Sequence, residues 1–243
     1  MIFQLFQNDL PWQEKLISIV FLPVVILVSL TLHEYAHGYV SMIQGDPTAK
    51  ERGRLSLNPL KHLDPLGAIF MLICGFGWAK AVPVDPRYYK NPKKGMAVTA
   101  LAGPITNAFI GIFVLVNFSV FVWLKETGIY AYIPIFNAMS EQTYRMLSTF
   151  AYVAMYYNIL LAVFNLLPIP PLDGSRILFA VLPDKYYFGV MKYEKIIMFI
   201  VFFLVWIGVF TTVFEALVDF VITGVSNTVF FILEKIFTLI FLR

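Results

Sequence analysis

The chain has 243 residues, of which 59% are hydrophobic and only 14% charged, with a formal net charge of +3 and a mean hydropathy of +0.76. Soluble domains carry about 25% charged residues, so most of this chain cannot face water and an ordinary soluble domain is excluded. The small net charge, with no basic patch interleaved with aromatics, gives no footing for nucleic acid, and the single cysteine, Cys74, excludes an intrachain disulfide.

The first fifteen residues, MIFQLFQNDLPWQEK, lack the basic start of a cleavable signal, and the apolar run behind them is longer than a signal core. A membrane crossing needs about 20 mostly apolar residues. Leu16–Val40 is the first predicted span, with Pro23 as a point for a kink, and it ends in TLHEYAHGYV, residues 31–40. Leu66–Ala79 is too short to cross easily and is broken by Gly67, Gly75 and Gly77, so it reads as a re-entrant or hairpin segment. Met96–Leu124 and Met146–Leu167 are the second and third spans. Ile196–Thr223 is the fourth, interrupted by Glu215 and Asp219. Val225–Leu242 carries Glu234 and Lys235 near its middle and reads as an interfacial helix, with a fifth crossing as the alternative. No repeat or long polar linker divides the chain, which predicts a single membrane-embedded domain over 1–243.

Basic residues are placed unevenly. They run from Lys50 to Lys94 between the first two full spans and from Arg176 to Lys195 between the third and fourth. Only Lys125 and Arg145 lie between the second and third. If residues 66–79 turn back, all the basic loops share one side, which the positive-inside tendency makes cytoplasmic. The Lys80–Lys94 cluster is then an anionic-lipid contact in the bilayer surface.

His33 and His37 are four apart, which puts both imidazoles on one face of a helix, one turn apart. Glu34 points about 100° round the axis. This is the H-E-x-x-H arrangement, two metal ligands and a general base. Bound zinc lowers the pKa of a coordinated water to about 7, and a carboxylate beside it can take the proton and pass it to a leaving amine. Five-residue patterns also arise by chance, but ionisable groups in a membrane helix cost several kcal/mol and mark function. A catalytic zinc takes three protein ligands. The third candidate lies in NLLPIPPLDGSR, residues 165–176, where Pro168, Pro170 and Pro171 end the third span. In the topology above, Asp173 lies at the depth of the two histidines. On its own Asp173-Gly174 reads as a turn. Asn165 has two readings, an amide for an oxyanion or the substrate backbone and a helix–helix hydrogen bond. Ala102 and Gly103 read as close helix packing, Asn107 as cavity-facing or interhelical, and His62 and Asp64 as a solvated loop, with an addition to a metal or gate region as the alternative.

HEYAH at the end of an apolar helix, with NLLPIPPLDG well downstream, resembles the site-2 protease family of intramembrane zinc metalloproteases. The stretches GRLSLNPLKHLDPLG, GFGWAKAVPVDPR and LAGPITN are similar to its compact prokaryotic branch, and the resemblance covers about residues 25–180. It implies an all-α polytopic membrane protein: a three-helix catalytic core, one or more additional C-terminal helices, and a short re-entrant β-hairpin near residues 66–85. It implies one Zn2+ ion held by His33, His37 and Asp173, Glu34 as base, and Asn165 as a substrate or oxyanion group. It also implies a prokaryotic plasma-membrane location with the site toward the cytoplasm. The activity implied is hydrolysis of a peptide bond within or near a transmembrane segment of a substrate protein, as in regulated intramembrane proteolysis. The competing reading is a metal-binding membrane transporter or a non-proteolytic metal-binding membrane protein. A transporter would need ionisable residues along several spans; here they gather at one depth.

Overall fold

The long helices each contain a long uncharged, apolar run. The computed structural model describes residues 12–67, 70, 78–183 and 192–241. Its helices are α1 (Trp12–Ile43), α2 (Thr48–Glu51), α3 (Pro92–Glu126), α4 (Pro134–Asn137), α5 (Glu141–Asn165), α6 (Asp173–Val181), α7 (Glu194–Trp206) and α8 (Thr211–Phe241). Stretches of α1, α3, α5 and α8 are long and apolar enough to cross a membrane: 19–43, 92–126, 141–165 and 211–239. The chain is thus an all-α polytopic membrane protein. Side-chain caps set two of the starts. Asn91 accepts from the Lys94 N–H with Pro92 as the first residue of α3, and Ser140 accepts from the Thr143 N–H at the start of α5.

The core is α1, α3 and α5. Leu22, Val25 and Ile26 of α1 pack on Val153 and Ala154 of α5, while Val20, Val24 and Val28 face outward, exposed, on the side that lipid covers. Lipid is as apolar as these side chains, so burial alone does not bind the helices; close approach does. Gly111 provides it. A Cβ there would stand 2.7 Å from Ile159 Cγ1 and 3.2 Å from the Met155 carbonyl oxygen. Leu115, Met155, Ile159 and Val218 form a second cluster that brings α8 against α3 and α5.

The C-terminal region corrects the sequence expectation. Residues 196–223 do not form one span. α7 stops at Trp206, and Gly208, at φ +80°, turns the chain in a conformation that favours glycine. Residues 225–241 are not a separate interfacial helix but the second half of α8. Phe214 stacks edge-on against Phe164 near the end of α5, Ser226 meets Ser119, and Trp123 meets Phe237. α8 therefore runs from the end of the bundle where α5 finishes to the end where α3 finishes. Its charged residues Glu215, Asp219, Glu234 and Lys235 bracket an uncharged stretch, 220–233. Charges near both ends are compatible with crossing, whereas the same charges read as the middle of shorter segments argued against it.

Of the segment expected as a re-entrant hairpin, residues 68–69 and 71–77, including Gly75, Gly77 and Cys74, lie outside the described residues. Among the described residues, 65–67 and 70 are helical, Leu63 makes one antiparallel bridge with Ala79, and 80–85 is irregular backbone. His62 is not solvated as expected. It is buried at 2% exposure, its Nε2 donating to the Ser56 carbonyl at 2.7 Å.

Past α1 the chain is tied down by Asp46, which is fully buried. Its carboxylate accepts from Ser41 Oγ (2.7 Å), the Thr48 N–H (2.9 Å) and the Asp85 N–H (2.7 Å). Burial alone would raise its pKa, but the bonds from Thr48, the Asp85 amide and Ser41 outweigh it and hold the carboxyl below its ordinary value. A lowered folded pKa means the stabilisation is complete above the ordinary value of 3.8 and is lost as pH falls through the folded value. Asp46→Ala leaves three donors without their acceptor and should cost on the order of 3 kcal/mol, read as a lower thermal midpoint in detergent. The wild-type midpoint should fall below about pH 4, with a shallower fall in Asp46→Asn.

Candidate metal centre

His33 and His37 sit one turn apart on α1, inside its membrane-length stretch. Their rings meet edge to face, with centroids 4.6 Å apart. The two Nε2 atoms are 3.0 Å apart. Asp173 Oδ2 lies 3.1 Å from His33 Nε2 and 3.2 Å from His37 Nε2. Three atoms from residues 33, 37 and 173 thus converge on one point, and among the described residues this is the one cluster of histidine, cysteine and carboxylate atoms suited to a metal ion.

Asp173 reaches the histidines because the chain bends after α5. Asn165 closes that helix, and residues 166–172, with Pro168, Pro170 and Pro171, carry the backbone round to α6. Asp173 is the first residue of α6 and not a turn residue, as the Asp-Gly pair alone suggested. The elbow is tight. A Cβ on Gly174 would collide with the backbone of Leu166 and Leu167, so only glycine lets α6 fold back so closely.

α3 shapes the other side. The Nδ1 of His37 lies 2.7 Å from the Thr99 carbonyl. Donation there leaves the lone pair on Nε2, facing His33 and Asp173. One turn further, Gly103 faces the histidine pair directly: a Cβ would stand 2.5 Å from Nε2 of both His33 and His37. The sequence suggested close helix packing at Gly103; what packs there is the imidazole pair.

Glu34 is buried beside the histidines, and its Oε2 accepts from the Val82 N–H at 2.7 Å. The irregular segment 80–85 is held over the end of α1 by this bond, by Asp46, and by Arg54, whose Nη2 donates to the Lys80 carbonyl. Asn165 is placed differently. Its Nδ2 donates to the Leu161 carbonyl of its own helix at 2.9 Å, and among the described residues no hydrogen bond joins it to His33, Glu34, His37 or Asp173.

Sequence reasoning missed Thr99, Val82 and Asp46. Thr99 and Val82 act through backbone atoms, which no side-chain pattern reveals. Asp46 carried one signal, an aspartate two residues before Thr48 in a Gly-Asp-Pro-Thr turn, where its carboxylate can accept a nearby backbone N–H.

A family model described as peptidase family M50 matches residues 21–208. YwhC of Bacillus subtilis, provisionally named a zinc metalloprotease, is 42% identical over 166 residues, 67% of this chain and 69% of that protein. The zinc metalloprotease MJ0392 of Methanocaldococcus jannaschii is 31% identical over 173 residues, 71% of this chain and 37% of its own length. Rip2 of Mycolicibacterium smegmatis, also provisionally named a zinc metalloprotease, is 29% identical over 154 residues, 61% and 52% of the two chains. No solved structure matches.

Alanine favours a helix interior over glycine by about 1 kcal/mol, so Gly103→Ala should preserve or raise helix content in circular dichroism. The same methyl intrudes between the two Nε2 atoms. The variant should therefore retain far less bound divalent metal than wild type when both are assayed by elemental analysis after purification.

Proposed function

The chain belongs to peptidase family M50, and from that membership we propose a zinc endopeptidase that hydrolyses a peptide bond within or beside a transmembrane segment of another membrane protein. In this reading residues 1–243 act as one membrane-embedded domain in a prokaryotic plasma membrane, with the site toward the cytoplasm, where the basic loops gather.

The observation that carries the reading is the mutual spacing of the three atoms. Zinc bonds nitrogen and oxygen at about 2.0–2.2 Å, and tetrahedral geometry then separates ligand atoms by about 3.3 Å. The separations in this chain are 3.0, 3.1 and 3.2 Å. The donor set of two imidazoles and one carboxylate fits zinc in chemistry as well, and as three protein ligands it matches a catalytic rather than a closed structural site. His33, His37 and Asp173 would hold the ion. When bound, zinc supplies a Lewis acid for the scissile carbonyl and an acidified water.

The remaining roles fall to the chain. Glu34 takes the proton from the attacking water and returns it to the leaving nitrogen. The Val82 amide fixes one oxygen of that carboxylate, which leaves the other for the proton. The Thr99 carbonyl sets the tautomer of His37. Asn165 is assigned to the substrate or the developing oxyanion, for which its Nδ2 carries a second N–H beside the one given to the Leu161 carbonyl. The scissile bond must be out of its helix before it can react, because a helical carbonyl is already engaged within its own segment. Cleavage of this kind, which frees part of a membrane protein in response to a signal, is regulated intramembrane proteolysis.

Glu34→Gln is the discriminating variant. Zinc content measured by elemental analysis should match wild type. Cleavage of a reconstituted single-span substrate should fall about 10²–10⁴-fold, the usual share of a general base. His33→Ala and Asp173→Ala should lose both zinc and cleavage. Undiminished proteolysis in Glu34→Gln would remove the assigned base, and zinc-free wild type would end the reading.

A further inference from the structure

One turn deeper than the histidine pair, the three core helices each bury a polar residue within about one turn of a common level. On α1 and α3, which run antiparallel, His33 faces Gly103; one turn along each chain toward the opposite end of the bundle brings Ser29 level with Asn107. On α3 and α5, which also run antiparallel, Gly111 lies against Met155 and Ile159, which places Asn107 within about one turn of Asn158. The packing of Leu22, Val25 and Ile26 on Val153 and Ala154 puts Ser29 level with Asn158 by a third route. Ser29, Asn107 and Asn158 are 2%, 0% and 1% exposed.

This layer is incompletely bonded by protein. Asn158 Nδ2 donates to the Ala154 carbonyl at 2.8 Å, but its Oδ1 has no protein partner. Asn107 has none for either Nδ2 or Oδ1. The nearest turn of the metal centre has the same deficit. His37 Nδ1 meets the Thr99 carbonyl, whereas His33 Nδ1 is buried without a partner. Each such group costs about 1–3 kcal/mol, and surrounding lipid offers no relief. The four atoms are complementary in kind. If His33 Nε2 binds metal, Nδ1 carries the proton, so the region holds two unpaired donors (His33 Nδ1–H and Asn107 Nδ2–H) and two unpaired acceptors (Asn107 and Asn158 Oδ1). The Cβ position of Gly103 is 2.5 Å from His33 Cε1, the ring atom bonded to Nδ1. The Cβ of Asn107 lies about 5–6 Å further along the helix. His33 Nδ1 and the Asn107 amide lie about one turn apart yet neither has a protein partner. This suits one intervening water, which typically makes about 3 hydrogen bonds when buried.

We infer that Ser29, Asn107 and Asn158 form a buried water site beneath the metal centre, and that Asn107, through this water, is the positioning residue for His33. The inference rests on the zinc-ligand reading of His33. It gives the two histidines matched outer partners of different kinds: a backbone carbonyl for His37 and a hydrated amide for His33. Ligand histidines ordinarily need such a partner, and removing it lowers metal affinity about 10–100-fold.

The test measures zinc dissociation constants by chelator competition on purified full-length protein, beside the visible spectrum of the cobalt(II)-loaded form and the thermal midpoint. Asn107→Leu fills the site with an apolar group of similar size. It should weaken zinc about 10–100-fold and shift the cobalt spectrum. Asn107→Ser, which keeps a polar group and leaves room for water, should restore most of the affinity. The double variant Asn107→Leu with Asn158→Leu should bind zinc no more weakly than Asn107→Leu alone, since both act through one site. An amide that only packs helices would move the thermal midpoint and leave zinc affinity within about twofold of wild type; that result overturns the inference. Should Asn107→Leu fail to fold, Asn107→Val against Asn107→Ser decides in the same way: unequal zinc affinity supports the water site and equal affinity refutes it. Wild type that binds no zinc overturns the proposed function and this inference with it, whereas zinc-binding wild type indifferent to Asn107 overturns the inference alone.

Discussion

His33 Nε2, His37 Nε2 and Asp173 Oδ2 each stand within 3.2 Å of the other two, in a bundle whose outer faces are apolar. Lone pairs crowded so closely repel, and low dielectric magnifies the repulsion. A proton or a cation has to stand among them, and two imidazoles with a carboxylate are a donor set that favours a metal. The other elements follow from keeping these atoms together and lipid away. α1 supplies both imidazoles because four residues make about one helical turn. α3 has to present no side chain at the point of contact, and Gly103 presents none. α5 has to end at the right depth and return the chain toward the histidines. The prolines end it, and Gly174 permits the return.

A second polar system holds the loop region to this centre. Asp46 accepts from Ser41, whose hydroxyl also meets Tyr89 Oη at 2.6 Å. Tyr89 reaches Thr99 Oγ1, which also accepts from Gln44 Nε2, and the Thr99 carbonyl meets His37. A buried carboxylate outside the span is thus joined by hydrogen bonds to a proposed metal ligand inside it. The same carboxylate anchors the Asp85 amide, three residues from the Val82 amide that engages Glu34. The position of Glu34 and the orientation of His37 are therefore set from one point. Buried networks of this kind rigidify when every member has a partner, which is what a site preorganised for a metal requires.

What the sequence made legible was whatever repeats with a helical period or breaks one. The histidine pair and Glu34 could be read because spacing on a helix fixes direction. Asp173 could be read because prolines end a span and set its depth. The elements that escaped act without a side-chain signature. Thr99 and Val82 contribute backbone atoms, and Gly103 contributes the lack of a Cβ, so each looks like ordinary helix or loop until its neighbours are known. The fourth span escaped for another reason. Glu215 and Asp219 looked like interruptions of a helix beginning at Ile196, but the actual break is at Gly208, and those charges fall in the first turns of a helix that continues to Phe241. Asn165 was legible as a polar residue at the right depth, but its amide is turned to the Leu161 carbonyl.

Depth connects this geometry to the kind of substrate proposed. His37 and His33 lie six and ten residues before Ile43, where α1 ends. At 1.5 Å per residue that is about 9–15 Å from the helix end. A peptide bond has to arrive at that depth with its carbonyl free, yet a free carbonyl facing lipid costs several kcal/mol. Non-helical backbone is tolerated at such depth only against protein or in a wet cavity. Near the histidines, segments 80–85 and 166–172 provide irregular protein backbone of this kind. An unwound stretch of the proposed substrate would therefore meet the least unfavourable surroundings where the proposed base and ligands already stand, so the penalty for irregular backbone in lipid would itself direct it to the site.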